Sequence, residues 1–71
     1  MNADNMQIGI VNCLRIHVFA EPTADSEIVC KLRYLTEIEI DLENSTENFY
    51  KIYTAIGAEG FCQKDLVILK Q

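Results

Sequence analysis

No apolar run in the 71-residue sequence exceeds four residues; Ile8 to Val11 and Leu66 to Leu69 are typical of the longest. A secretory h-region needs roughly 7–15 apolar residues and a membrane span roughly 20. The start of the sequence also lacks a basic n-region, with Asp4 placed where Lys or Arg would be wanted. Read from Met1, the chain is therefore expected to be cytoplasmic, or part of a virion if a bacteriophage encodes it. Basic residues are scarce: six Lys and Arg stand against eleven Asp and Glu, a formal net charge of −5. Nucleic acid and anionic membrane both require a basic surface, so neither is an expected partner.

Cysteine is present as an odd trio, Cys13, Cys30 and Cys62, without C-x-x-C spacing. A complete disulfide framework is impossible, and nothing in the spacing supports a three-thiolate metal site. Each thiol lies beside strand-like apolar residues, where a free cysteine behaves as a small hydrophobe. Three reduced thiols and no cofactor are expected. At 71 residues the chain forms at most one domain, burying only roughly 60% of the surface its unfolded form exposes. That size excludes a nucleotide-binding α/β sheet, a cleft between lobes and a multidomain enzyme. A hydrophobic content of 49% in turn excludes a disordered acidic tail.

What the sequence does contain is short apolar runs, rich in β-branched residues, divided by turn residues. Residues 1–7 read as a flexible end, and residues 8–71 as a single domain. A first strand is expected from Ile8 to Leu14, continuing after a kink through Ile16 to Phe19. A polar loop follows from Ala20 to Ser26, its backbone fixed by Pro22. Ile28 to Leu32 forms the next strand. Ile38, Ile40 and Leu42 then alternate with Glu37, Glu39, Asp41 and Glu43. A period of two sends the apolar set to one sheet face and the carboxylates to the other. After a turn from Asn44 to Asn48, Phe49 to Thr54 makes another strand. Gly57 to Gly60 is a tight turn into Phe61 and Cys62. A helical turn at Gln63 to Asp65 precedes a closing strand, Leu66 to Leu69. Five short strands with frequent turns suggest an all-β barrel or sandwich. Its expected core contains Val11, Ile28, Ile38, Ile40, Ile52 and Cys62.

In their order these segments resemble the bacterial SH3-like domain family, from Gly9 to Leu69. Gly9, Val11 and Asn12 fit its opening Gly-x-Val-Thr, and Ile16-His17-Val18-Phe19 falls on its Leu-Asn-Val-Arg. Ser26, Ile28, Val29 and Leu32 fit Ser-x-Val-Ile-Gly-x-Leu. Phe49-Tyr50-Lys51-Ile52 looks like Trp-Tyr-Lys-Val, and Gly57 to Cys62 looks like Gly-x-x-Gly-Trp-Val, with Asp65-Leu66 closing the pattern. The resemblance implies a small five-stranded SH3-like barrel. It also implies a non-enzymatic binding module, since many family members target cell-wall hydrolases to peptidoglycan. The sequence departs from the pattern at Phe19, where arginine is usual, at Leu35, where a turn glycine is usual, and at Phe49 and Phe61, where tryptophans are usual. Leu66 replaces the tyrosine of polyproline-binding grooves, which argues against that ligand.

In an SH3-like arrangement the Phe19–Ser26 loop and the Asn44–Phe49 turn flank a shallow groove. Phe19 and Phe49 would supply apolar anchors there and Glu21 a carboxylate for a basic or amino group; Tyr34 is a further candidate. The alternative is that Phe19 caps the core and Phe49 packs beneath its turn. Alternation puts Phe49 and Tyr50 on opposite faces, and the resemblance implies that Phe49 is the surface aromatic and Tyr50 the more buried one. His17, the sole histidine, has no nucleophile at a recognisable spacing, so an enzyme is the least favoured reading. The Glu37 to Glu43 row reads as a solvated strand face, because its charges sit about 7 Å apart and the calcium-loop spacing is absent. Two functions remain: a module that binds a protein or peptide, including cell-wall peptide, and a structural subunit of an assembly such as a bacteriophage particle.

Overall fold

A computed structural model describes residues 6–70. The protein is all-β, with strands β1 (Met6–Val11), β2 (Arg15–Phe19), β3 (Ile28–Arg33), β4 (Glu37–Asp41), β5 (Phe49–Tyr53), β6 (Glu59–Gln63) and β7 (Val67–Leu69). Single 3₁₀ turns occupy Leu42–Asn44 and Lys64–Leu66. All pairings are antiparallel, and the sheet runs in the order β3-β2-β6-β5-β4-β1-β7.

Seven strands replace the five expected, for two local reasons. The first predicted strand breaks after Val11, where the backbone turns so that Val11 N–H donates to Thr36 O and Asn12 N–H to Leu66 O. The segment around Phe61 and Cys62 is more than the end of a turn: Glu59–Gln63 pairs along its whole length with β5 and meets β2 at Phe19. Strands β3 and β7 remain the two edges of an unclosed sheet. Met6 and Gln7, assigned to the flexible end by sequence, belong to β1 and pair with Asp41 and Ile40; residues 1–5 of that end lie outside the described residues. The helical turn expected at 63–65 forms one residue later, and Leu66 joins it rather than β7.

Alternation explains the core. Val11, Ile16, Val18, Leu32, Ile38, Ile40, Ile52, Cys62 and Val67 form one buried cluster fed from both ends of the sheet. Five of the six expected core residues are in it. Ile28 is not: it lies at the start of edge strand β3 and is 44% exposed. Leu42 also leaves the apolar face, because β4 ends at Asp41 and Leu42 begins the 3₁₀ turn. Asp41 caps that turn, its carboxylate accepting from Glu43 N–H at 3.1 Å and Asn44 Nδ2 at 2.7 Å. Asp41 and Glu43 are thereby drawn out of the simple solvated row.

The sheet is tightest where β6 passes β2. A Cβ on Gly60 would sit 2.5 Å from the Phe19 carbonyl oxygen and 2.7 Å from Val18 Cγ1, so only glycine permits this approach. Leu35, between β3 and β4, holds φ at 70°, the left-handed region that disfavours a side chain. Its N–H donates to Val11 O at 2.8 Å, which fixes the turn against the end of β1.

Two substitutions test this architecture. Ile40→Asp places an unpaired carboxylate at a fully buried position. It should abolish the cooperative thermal melt, because the whole stability of a domain is only about 5–15 kcal/mol. A melt near that of the parent would contradict the register. Leu35→Gly relieves a left-handed penalty of roughly 1–2 kcal/mol, less the roughly 0.5–1 kcal/mol that glycine loses in chain entropy. The urea midpoint should rise, and a fall would show that the Leu35 side chain contributes more than its backbone costs.

Candidate functional site

Two rings of the expected groove, Phe19 and Phe49, meet outside the core cluster, and His17 joins them. Phe19 lies edge-on to Phe49 with centroids 6.3 Å apart, and His17 lies edge-on to Phe19 at 6.0 Å. Phe19 is the middle ring and is only 7% exposed. It therefore serves as a packed support and offers little surface to a ligand, in keeping with the capping alternative. Phe49 is half-buried, as is Tyr50, so the expected contrast between them is absent. Edge-to-face pairs of this kind add about 0.5–1.5 kcal/mol beyond area burial, which holds Phe49 in one orientation.

Beside Phe49 is a depression of about 340 Å³ lined by Ala24, Asn48, Phe49, Gln63 and Asp65. It lies between the loop after β2 and the turn before β5, as expected from sequence. Its walls are stiff. Thr46 N–H donates to Phe49 O at 2.8 Å, and Phe49 N–H donates back to Thr46 Oγ1 at 3.2 Å. Ser45 Oγ donates to Asp41 O and accepts from Lys51 N–H, while Lys64 N–H donates to Asn48 O. On the other wall Ser26 Oγ accepts from Glu21 N–H and donates to Thr23 O. An aromatic ring, two amide side chains and a carboxylate together offer an apolar surface, hydrogen-bond donors and acceptors, and a negative charge.

The other two predicted residues fall elsewhere. Glu21 is exposed on the loop but does not line the depression, where Asp65 supplies the carboxylate. Tyr34 is 54% exposed at the opposite end of the β2–β3 hairpin from Phe19, with its N–H donating to Leu14 O. It is not brought together with Phe19 and Phe49.

A second depression, of about 330 Å³, is lined by Ile8, Glu37, Ile38, Glu39, Tyr53, Thr54 and Ala55. Ile8, Glu39 and Tyr53 stand in register across β1, β4 and β5. The alternating Glu residues marked one wall in the sequence, but the tyrosine opposite Glu39 depends on strand pairing and gave no local signal. The Lys70 ammonium lies 2.9 Å from Glu37 Oε2, which partly neutralises this acidic mouth. Between the depressions, Lys51 Nζ is 3.2 Å from Glu59 Oε1 and 5.0 and 5.7 Å from the Phe61 and Tyr53 ring centroids. The lysine, itself largely covered, is thereby held over the aromatics, while its partner Glu59 stays exposed.

Among the described residues no group of three or more His, Cys, Asp or Glu side chains is placed to hold a metal ion. No helix among them is long and apolar enough to cross a membrane. Cys13, Cys30 and Cys62 are free. Burial pushes the Cys30 thiol up and the Cys62 thiol up to about 12 from its ordinary 9.0. No family model matches the chain, and no curated protein matches it.

The thiols give a direct check. Iodoacetamide should modify all three cysteines in denaturant without reductant, and mass spectrometry should find Cys62 unmodified in the native protein. A single modified cysteine in denaturant would reveal an intramolecular disulfide. The unfolded chain loses the Cys62 proton near its ordinary 9.0 and the folded chain only near about 12. This contribution to stability is thus complete below 9.0 and is lost as pH rises toward 12.

Proposed function

We propose that the protein is a small non-enzymatic binding module of the bacterial SH3-like kind, which takes a peptide ligand in the depression beside Phe49. One observation carries this reading: the loop after β2 and the turn before β5 meet around a depression with an oriented aromatic wall and three polar side chains. The all-β architecture, the 3₁₀ turn before the last strand and the shared core are compatible with a strongly curled SH3-like barrel. The ligand chemistry that suits Asn48, Gln63 and Asp65 is a short peptide bearing an amino group, which includes cell-wall stem peptides. No acid, base and nucleophile converge among the described residues, and His17 meets only the edge of Phe19, which supports binding over catalysis.

A structural role in an assembly, such as a bacteriophage particle, is the second reading. The open edges of β3 and β7 favour it, because an edge strand is a ready site for pairing with a neighbour.

Phe49→Ala tests the first reading by titration against soluble amino-bearing stem peptides and by pull-down on purified peptidoglycan. Binding should weaken by about 1–3 kcal/mol, as for an interface aromatic, with the melting temperature nearly kept because Phe49 lies outside the main core cluster. Loss of about 3–5 kcal/mol of stability with undiminished affinity in the folded fraction would make Phe49 a core residue and remove the groove.

A further inference from the structure

The β2–β3 hairpin has a face whose charge runs against that of the rest of the protein. Arg15 stands directly opposite Arg33, and His17 directly opposite Lys31. All four are exposed. Like charges in facing positions of an antiparallel pair are destabilising, so folding alone gives no reason for this arrangement. The other cations are engaged: Lys51 with Glu59, Lys70 with Glu37, and Lys64 over the Tyr50 ring. Arg15, Lys31 and Arg33 have no ion pair among the described residues. Half of the six Lys and Arg of a chain with net charge −5 thus gather on one hairpin without an acidic partner.

The same hairpin ends the sheet. Strand β3 is six residues long and, among the described residues, has no strand on its far side. Ile28 and Val29 remain 44% and 43% exposed along it. A lone lysine on an edge is a common guard against pairing. Three cations and two exposed aliphatics instead select what can pair there. An added strand would set one alternate set of residues beside Lys31 and Arg33, on the face where Ile28 stands opposite Phe19, and the other beside Cys30, with Val29 set apart by the register shift.

We propose that the β2–β3 hairpin docks an extended acidic segment of a partner protein, which adds along β3 as a strand and sets its carboxylates against Arg15, Lys31 and Arg33. The open backbone edge favours a polypeptide over nucleic acid, which has no use for a row of strand hydrogen-bonding groups. The protein's own negative charge adds to this preference by repelling long polyanions. The Arg15–Arg33 pair lies at the opposite end of the hairpin from Phe19 and the depression beside Phe49, so substitutions at Arg15 and Arg33 test this surface apart from that depression.

The experiment uses the intact chain, isotope-labelled for amide NMR, and a blocked peptide of about ten residues alternating Glu and Val, matched to the strand period. Amide shifts should be confined to β2 and β3. The double substitution Arg15→Glu with Arg33→Glu should weaken binding at least about ten-fold. Each single substitution should melt at or above the parent, because it removes the Arg–Arg repulsion and so shows that the fold is intact. The Glu–Val peptide N-methylated at alternate residues keeps the charges but cannot pair as a strand, and it should bind far more weakly. The proposal is overturned if the Glu–Val peptide does not bind, if its shifts map to Phe49, or if the N-methylated form binds equally well. Equal binding by a Lys–Val peptide or by a single-stranded DNA oligonucleotide would overturn it too, as would self-association through this face seen by sedimentation.

Discussion

A 71-residue chain has too little material for two packed layers of independent sheets, and the structure depends on bringing both ends of one sheet around a single apolar cluster. The critical point is the passage of β6 across β2. There the sheet is joined by the single register pair Phe19 and Phe61, and Gly60 lets the two backbones approach more closely than any side chain would allow. Because of that approach, Val18 and Ile16 from one end share a core with Ile40, Ile52 and Val67 from the other. A register irregularity between Val18 and Phe19 accompanies it. The extra residue is Val29 in β3, and alternation along β2 turns Phe19 away from Val18 and toward Phe49, so the strand that meets β6 also supports the wall of the proposed binding depression.

Hydrogen bonding gives the loops around that depression a stiffness their composition would not suggest. Asp41, Ser45, Thr46 and Ser26 each use a short polar side chain to satisfy nearby backbone groups. These contacts replace the regular ladder where the strands end. The side chains that line the depression are then carried by the ends of strands and by tied turns, an arrangement that limits the entropy lost when a ligand binds.

Charge is distributed as unevenly as hydrophobicity. The β4 row and its neighbours hold most of their positive partners, Lys51 and Lys70, through contacts with Glu59 and Glu37. The β2–β3 hairpin keeps its cations exposed and unpaired at the far end of the sheet. One small scaffold thus offers an aromatic depression, an acidic one and a basic edge.

Period-two alternation in the sequence was sufficient for the all-β class and for the burial of Ile38, Ile40 and Ile52, while Pro22 and the Asn, Ser and Thr residues marked the loop and turn that flank the depression. Alternation works because each strand's inward set is written locally, in successive residues. That the cysteines are free was expected from their odd number and spacing, whereas the depth of Cys62 in the core, which raises its pKa, belongs to the packing. Tertiary structure alone decided how many strands there are, because the break after Val11 is made by hydrogen bonds that Val11 and Asn12 N–H donate to the carbonyls of Thr36 and Leu66, distant in the chain. It alone exposed Ile28, which sits in a strand with a neighbour on only one side. It also buried Phe19 under Phe49, separated Tyr34 from both, and set Arg15 against Arg33 and Tyr53 against Glu39. Those relations depend on register between strands, and register is fixed by the closure of the whole core rather than by any one segment.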